Sequence, residues 1–343
     1  MKYVSVFCFV AVMSLPVFAQ ISDSARFFYA KGAEEQQSRR FALAHKYFQQ
    51  SVDADSSNVE SWKALANTAL ELRQYKKAKS AFEKIYELDK NDTAAIRQLA
   101  QLNFNFRQWH NAITFGLLMQ QKGIQQKNTN YIIGKSFYED ENYGKAFQYL
   151  EEAAKDDPAN AQIPYIIAVS YVDMSNYRKA IPYFHKALAI DSNNARWYYE
   201  MAMTCSAIPD DKTAVIYYEK AAEKGYKTDN DYFENLSLSC ILSGQPERGL
   251  QLMMNLLEKK PADLNLLYNI AETYYKIKDY PKAIGYFDNI LQQDASNARA
   301  MYMMGMAYQK KGDVSRGMKI CDRAIELDPS LADLKRKKVN VGL

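Results

Sequence analysis

Small and large apolar positions recur along this chain at a fixed interval. Set in rows of 34 residues from Ala25 to Leu331, with one extra residue, Asp229, between the sixth and seventh rows, the sequence holds register for nine rows. Position 8 reads Gly32, Ala66, Ala100, Gly134, Ala168, Ala202, Ser237, Ala271 and Gly305, and position 20 reads Ala44, Ala78, Ala112, Ala146, Ala180, Ala214, Gly249, Ala283 and Gly317. Positions 4, 7, 8 and 11 follow the spacing of one helical face, and positions 17, 20, 24 and 27 repeat it on a second helix. Each row is therefore expected to be a helical hairpin, with the small residues allowing its two helices to approach closely. Pro158, Pro261 and Pro329 fall between hairpins, and Pro164, Pro246 and Pro281 fall in first turns, where a missing N–H is harmless. Two places break the pattern. Pro182 sits inside the second helix of the fifth row and predicts a kink or a lost hydrogen bond, and Ile208-Pro209-Asp210-Asp211 predicts an altered turn in the sixth.

The rows resemble the tetratricopeptide repeat family, whose pattern is Trp-x2-Leu-Gly-x2-Tyr, then Ala-x3-Phe-x2-Ala, then Pro. Trp62, Leu65, Ala66, Ala78 and Phe82 match it in the second row, and Ile133, Gly134, Phe137, Tyr143, Ala146, Leu150, Ala153 and Pro158 in the fourth. Ile167, Ala168, Tyr171, Tyr177, Ala180, Phe184 and Ala187 repeat it in the fifth. The resemblance implies an all-α fold, a right-handed superhelical solenoid of tandem helical hairpins whose first helices line a concave wall. A lone hairpin buries too little apolar surface, so the rows form one long domain over residues 20–331. Lys31 and Glu35 stand where apolar residues belong in the first row, which suits a solvent-facing cap, and residues 332–343 are expected to form a closing helix and tail.

A second stripe runs along the first helices. Positions 2, 5, 9 and 12 lie on average about 130° around the helix from the core face and should be polar if merely solvated. Position 5 instead reads Tyr29, Lys63, Arg97, Tyr131, Tyr165, Tyr199, Glu234, Tyr268 and Tyr302, and Tyr138, Met203 and Leu238 extend the apolar character at positions 9 and 12. Tyrosine combines a large contact area with few rotors and a hydroxyl, so such a wall suits an extended peptide or a partner helix. The candidate partner-binding residues are Lys63, Asn67, Arg97, Tyr131, Tyr138, Tyr165, Tyr199, Leu238, Tyr268 and Tyr302. The alternative is that the rings wedge between adjacent first helices and set the pitch of the stack. Some tetratricopeptide domains grip a terminal carboxylate with a Lys and Asn pair followed by an Asn and two basic groups. Lys63 and Asn67 match the pair, but Gln98, Asn128 and Ile132 replace the rest, so a full clamp is not expected.

Chemistry elsewhere is sparse. Lys2, the apolar run Val4 to Leu15, Pro16 and Val17-Phe18-Ala19 read as a signal peptide over residues 1–19, cleaved before Gln20. Export follows, to the periplasm or envelope of a bacterium or as a secreted protein, and no later segment reads as an integral membrane span. With 44 basic and 40 acidic residues, nucleic acid is not an expected partner, and Lys335-Arg336-Lys337-Lys338 reads as a solvated last turn. Cys205, Cys240 and Cys321 occupy core positions, and equivalent positions on packed helices lie about 8–10 Å apart, beyond normal disulfide reach, so buried thiols are expected, with a Cys205–Cys240 bridge as the alternative. His45, His110 and His185 are too scattered for a metal site, and no motif places a nucleophile, a phosphate loop or a cofactor. The reading is an exported, non-catalytic scaffold for another protein or peptide, without cofactors. A glycan or cell-wall binding module, and a self-associating homo-oligomer, stand as alternatives.

Overall fold

The computed structural model describes residues 23–332. The expected signal peptide, and the closing segment beyond Ala332 with its basic run, lie outside the described residues. Among the described residues there are eighteen α-helices and no strand, so the protein is all-α. They pair into nine hairpins: α1 Asp23–Gln37 with α2 Phe41–Ala54, α3 Val59–Glu71 with α4 Tyr75–Leu88, α5 Thr93–Asn105 with α6 Trp109–Gln121, and α7 Thr129–Glu139 with α8 Tyr143–Asp156. Then come α9 Gln162–Asp173 with α10 Tyr177–Ile190, α11 Ala195–Ala207 with α12 Asp211–Glu223, α13 Asn230–Leu242 with α14 Pro246–Lys259, α15 Leu264–Lys276 with α16 Tyr280–Gln293, and α17 Ala298–Lys311 with α18 Val314–Leu327. The chain divides between Asp157 and Pro158 into two compact units, one holding the first four hairpins and the other the last five. Within each unit every helix packs on the next. None of the described helices is long and apolar enough to cross a membrane.

The hairpins start and stop by local chemistry. The residue before each of six first helices caps it: Asn58, Asp92, Asn194, Asp229, Asp263 and Asn297 accept from backbone N–H groups of the first turn. The extra residue Asp229 thus supplies a cap where the thirty-fourth position, Thr228, does not. The first helices end in paired bonds of a left-handed cap. In hairpin two, Gln74 N–H donates to Ala69 O at 2.8 Å and Arg73 N–H to Leu70 O at 2.9 Å. Position 15 carries a positive φ in all nine turns, at Arg39, Arg73, Arg107, Glu141, Ser175, Pro209, Gly244, Lys278 and Gly312.

That geometry corrects the expectation for hairpin six. Its turn follows the same path, with Asp210 N–H donating to Cys205 O at 3.0 Å. Only the second bond of the pair is missing, because Pro209 has no N–H to give. Pro182 likewise leaves α10 continuous from Tyr177 to Ile190. It is the sixth residue of the helix, so the bond it forgoes is one to Arg178 O, close to the N-terminus.

The core contains more than the apolar pattern announces. Positions 8 and 20 are buried as expected, and at Gly317 an added Cβ would lie 2.5 Å from Gly305 O, so α17 and α18 touch backbone to backbone. Positions 3 and 10 are buried as well, holding Ser61, Thr68, Thr129, Ser136, Ser170, Thr204, Ser239 and Thr273. Several satisfy their hydroxyls within the helix: Thr68 donates to Ala64 O at 2.9 Å, Ser170 to Ile166 O at 2.7 Å and Thr204 to Glu200 O at 2.7 Å. These positions face the neighbouring hairpin. In hairpin one no neighbour precedes α1 among the described residues, and its position 3, Phe27, is 59% exposed.

Candidate functional site

The first-helix face of the first unit is built by α3, α5 and α7. Lys63 pairs with Glu60 at 3.0 Å and with Asp92 at 3.0 Å. Asp92 also caps α5 by accepting from Ala95 N–H at 2.8 Å. The hydrogen bonds from Glu60 and then Asp92 raise the Lys63 pKa. Burial works against ionisation of Asp92, but the Ala95 N–H and the Lys63 ammonium outweigh it and hold the carboxyl below its usual range. Lys63 is thus committed to an internal network, which leaves it poorly placed to grip a foreign carboxylate. Asn67 and Arg97 are exposed beside it. Tyr131 is half-buried, edge-on to Phe104 at 5.9 Å, and burial raises its hydroxyl pKa. Asn128 Nδ2 donates to Gln101 Oε1 at 3.0 Å and ties α7 to α5, while Tyr138 lies 6.2 Å from Tyr143.

The corresponding face of the second unit comes from α9, α11, α13, α15 and α17. Tyr165 stacks on Trp197 at 4.7 Å and 17°, with Phe184 edge-on at 6.3 Å. Tyr199 stacks on Tyr226 at 4.3 Å and 10°, meets Tyr218 edge-on at 5.6 Å, and accepts a 2.9 Å hydrogen bond from Asn235 Nδ2. Tyr268 packs edge-on to Phe287 at 5.6 Å under the Arg299 guanidinium, whose Nε donates to its hydroxyl at 2.9 Å. Each ring therefore rests against position 24 of its own second helix. Tyr165 and Tyr199 also reach position 3 of the next hairpin, at Trp197 and Tyr232. The tyrosines act as wedges, as the alternative reading held, yet all three remain only half-buried and keep an outer edge in solvent. Met203 and Leu238, one position-9 residue in each of two adjacent hairpins, are 46% and 38% exposed beside them.

Tyr302 does not belong with this set. It is 5% exposed, packed with Cys321, Ala324 and Leu331. In the same row positions 8 and 20 are both glycine, and α17 and α18 approach closely there. The buried Tyr302 can therefore offer no contact to a partner.

A second aromatic ladder escaped the sequence reading. Positions 11 and 23 stack across the two helices of a hairpin, as Phe137 with Tyr149, Tyr171 with Tyr183, and Tyr274 with Tyr286, each pair with centroids 5.7 Å apart. A lysine at position 19 lies over the position-11 ring in all three, at 5.1 Å for Lys145, 5.8 Å for Lys179 and 5.0 Å for Lys282. The four-residue step from Lys179 to Tyr183, repeated at Lys145 and Lys282, was the available signal. As a core position, 11 gives no reason in the sequence to pair its rings with residues outside the core.

Cys205 and Cys240 are free thiols, and all three cysteines in the described residues are buried. Burial pushes the Cys205 thiol up to about 12 and the Cys240 thiol upward as well, so neither is a ready nucleophile. Among the described residues no group of His, Cys, Asp and Glu could hold a metal ion.

Sequence models described as tetratricopeptide repeats match residues 59–102, 243–298 and 278–338. A model described as anaphase-promoting complex, cyclosome, subunit 3 matches residues 105–187. Among solved structures, the chain is similar to the C-terminal part of a tetratricopeptide repeat-containing protein from Cytophaga hutchinsonii, at 21% identity over 79% of this chain and 97% of that one, with a TM-score of 0.46. It is also similar to YrrB, described as a tetratricopeptide protein with an unusual peptide-binding site, at 22% identity over 55% of this chain and 98% of that one, TM-score 0.44. A third likeness is to pilF of Pseudomonas aeruginosa, at 20% identity over 62% and 97% of the two chains, TM-score 0.41. The 34-residue period, its hairpins and the separate matches along the chain agree, and the protein is a member of the tetratricopeptide repeat family.

Proposed function

We propose that this protein is an exported, non-catalytic scaffold that holds another polypeptide against its first-helix face. The observation that carries the reading is the pairing of exposed Met203 and Leu238 with the accessible edges of Tyr165, Tyr199 and Tyr268. Side chains of that kind, presented by successive helices of a rigid array, offer apolar anchors at a fixed spacing with hydroxyls for a bound backbone. The leader-like residues 1–19 support work outside the cytoplasm, in a bacterial envelope assembly. Protein recovered from the envelope fraction should begin at Gln20; an intact Met1 would remove the export reading.

The wedge role of the tyrosines dictates how binding is tested. Truncating them would open the core, so the informative variant carries Met203→Glu and Leu238→Glu, both at exposed positions. A random peptide library displayed on phage and panned against the wild-type protein should yield binders. The double variant should lose them by at least about tenfold in affinity with an unchanged melting temperature. Equal binding to both proteins would sink the proposal.

A further inference from the structure

The repeat provides its own template for a binding site. In hairpin six, Tyr199 occupies a seat whose walls are Tyr218 at position 24 and Tyr232 at position 3 of the next hairpin, with Asn235 at position 6 donating to its hydroxyl. In hairpin five, Tyr165 sits in the same way between Phe184 and Trp197. One repeat further along from Tyr199, the matching wall residues are Met253 and Leu266, both buried, and the matching amide is Asn269. The residue that should fill the seat is Glu234, and its carboxylate forms an ion pair with Lys260 at 3.1 Å. A hollow of about 130 Å³ remains, lined by the apolar Met253, Leu266 and Leu238 and by polar groups that include Asn269, Asn265, Asp263, Ser237 and the Glu234–Lys260 pair.

We propose that this hollow in α13 to α15 receives a tyrosine side chain from a bound polypeptide, which completes the row of phenol rings that the chain interrupts at Glu234. The volume is of the right order, since an apolar cavity of ~150 Å³ accommodates benzene. Met253 and Leu266, from the two positions that flank the chain's own rings, give it two apolar walls in an otherwise polar lining. Asn269 stands where Asn235 meets the Tyr199 hydroxyl, so the seat distinguishes a phenol from a plain benzene ring. Leu238 at the mouth is the same exposed residue that the scaffold reading uses. That a polypeptide supplies the ring rests on that reading, whereas the seat itself does not.

The test uses the full chain with methyl-labelled methionines and p-cresol as the probe, with toluene as its hydroxyl-free control. p-Cresol should shift the Met253 methyl resonance saturably, with a dissociation constant on the order of 1 mM. Glu234→Tyr, which lets the chain fill its own seat, should weaken p-cresol by at least about tenfold. Should that variant fold poorly, Leu238→Trp, at the exposed mouth, should block entry in the same way. Asn269→Leu should weaken p-cresol while leaving toluene unchanged. No saturable shift at Met253, or binding undiminished when the seat is filled or blocked, overturns the proposal, as does equal binding of p-cresol and toluene to the wild type. Saturable p-cresol binding with no peptide recovered from the library would retain the seat and discard the scaffold reading; the reverse pattern would do the opposite.

Discussion

His45 shows how a single side chain ties the packing of two hairpins to pH. Its Nδ1 lies 3.1 Å from the Thr68 hydroxyl on the neighbouring α3. Burial first, and then the charge of Lys77, lower its pKa below the ordinary histidine value, against a smaller opposing contribution from the Leu65 backbone. The folded state thus prefers the neutral ring. Its contribution to stability is present above the unfolded pKa near 6.5 and is lost as pH falls through the lower folded value, because the unfolded chain binds the proton first. Denaturation midpoints measured from pH 7.5 down to 5 should fall, and His45→Gln should flatten that decline. An unchanged slope in the variant would assign it to other groups. Such a coupling was invisible in the sequence, where His45 was one of three scattered histidines. Tyr302 carries the same lesson: in a list of position-5 residues it is one more tyrosine, and only its packing against Cys321, Ala324 and Leu331 shows that it is buried.

At the scale of the helix pair, close approach is the controlling feature. Small residues at positions 8 and 20 were legible because nothing larger occurs there in nine rows, and the burial of those positions follows. Gly305 and Gly317 represent the extreme, with carbonyls where a methyl group would have to go. Gly317→Ala should therefore destabilise the protein by about 1–3 kcal/mol despite alanine's better helix propensity, as read from urea denaturation. A neutral or stabilising result would mean that the two helices slide apart without loss. Positions 3 and 10 were less legible, since the Ser, Thr and Ala that share them with a few large apolar residues look like solvated residues until the neighbouring hairpin covers them. The left-handed residue at position 15 was equally hidden, because Arg39, Arg73, Arg107, Glu141, Ser175 and Lys278 bear none of glycine's signature. There the paired cap bonds impose the conformation.

Within each unit, contacts run from each hairpin to its neighbours, so local stability should depend on how many neighbours a hairpin has. Among the described residues of the first unit, α1 packs mainly on α2 and exposes Phe27, whereas α5 is covered on both sides. Native-state hydrogen exchange should find the amides of α1 less protected than those of α5. Equal protection would point to one cooperative block. The candidate binding face follows the same logic, as a surface assembled from equivalent places on successive first helices.

Helix number, hairpin order, the small-residue contacts and the family are all written in a 34-residue period, because periodic burial needs periodic side chains and leaves its mark on every row. Whether a tyrosine is a wedge, a core residue or a contact surface is not written there, since that depends on which side chains meet it from the hairpin alongside. The seat at Glu234 makes the difference plain: one row supplies its mouth and one wall, the next its other wall and its amide, and the hollow exists only once they are packed together.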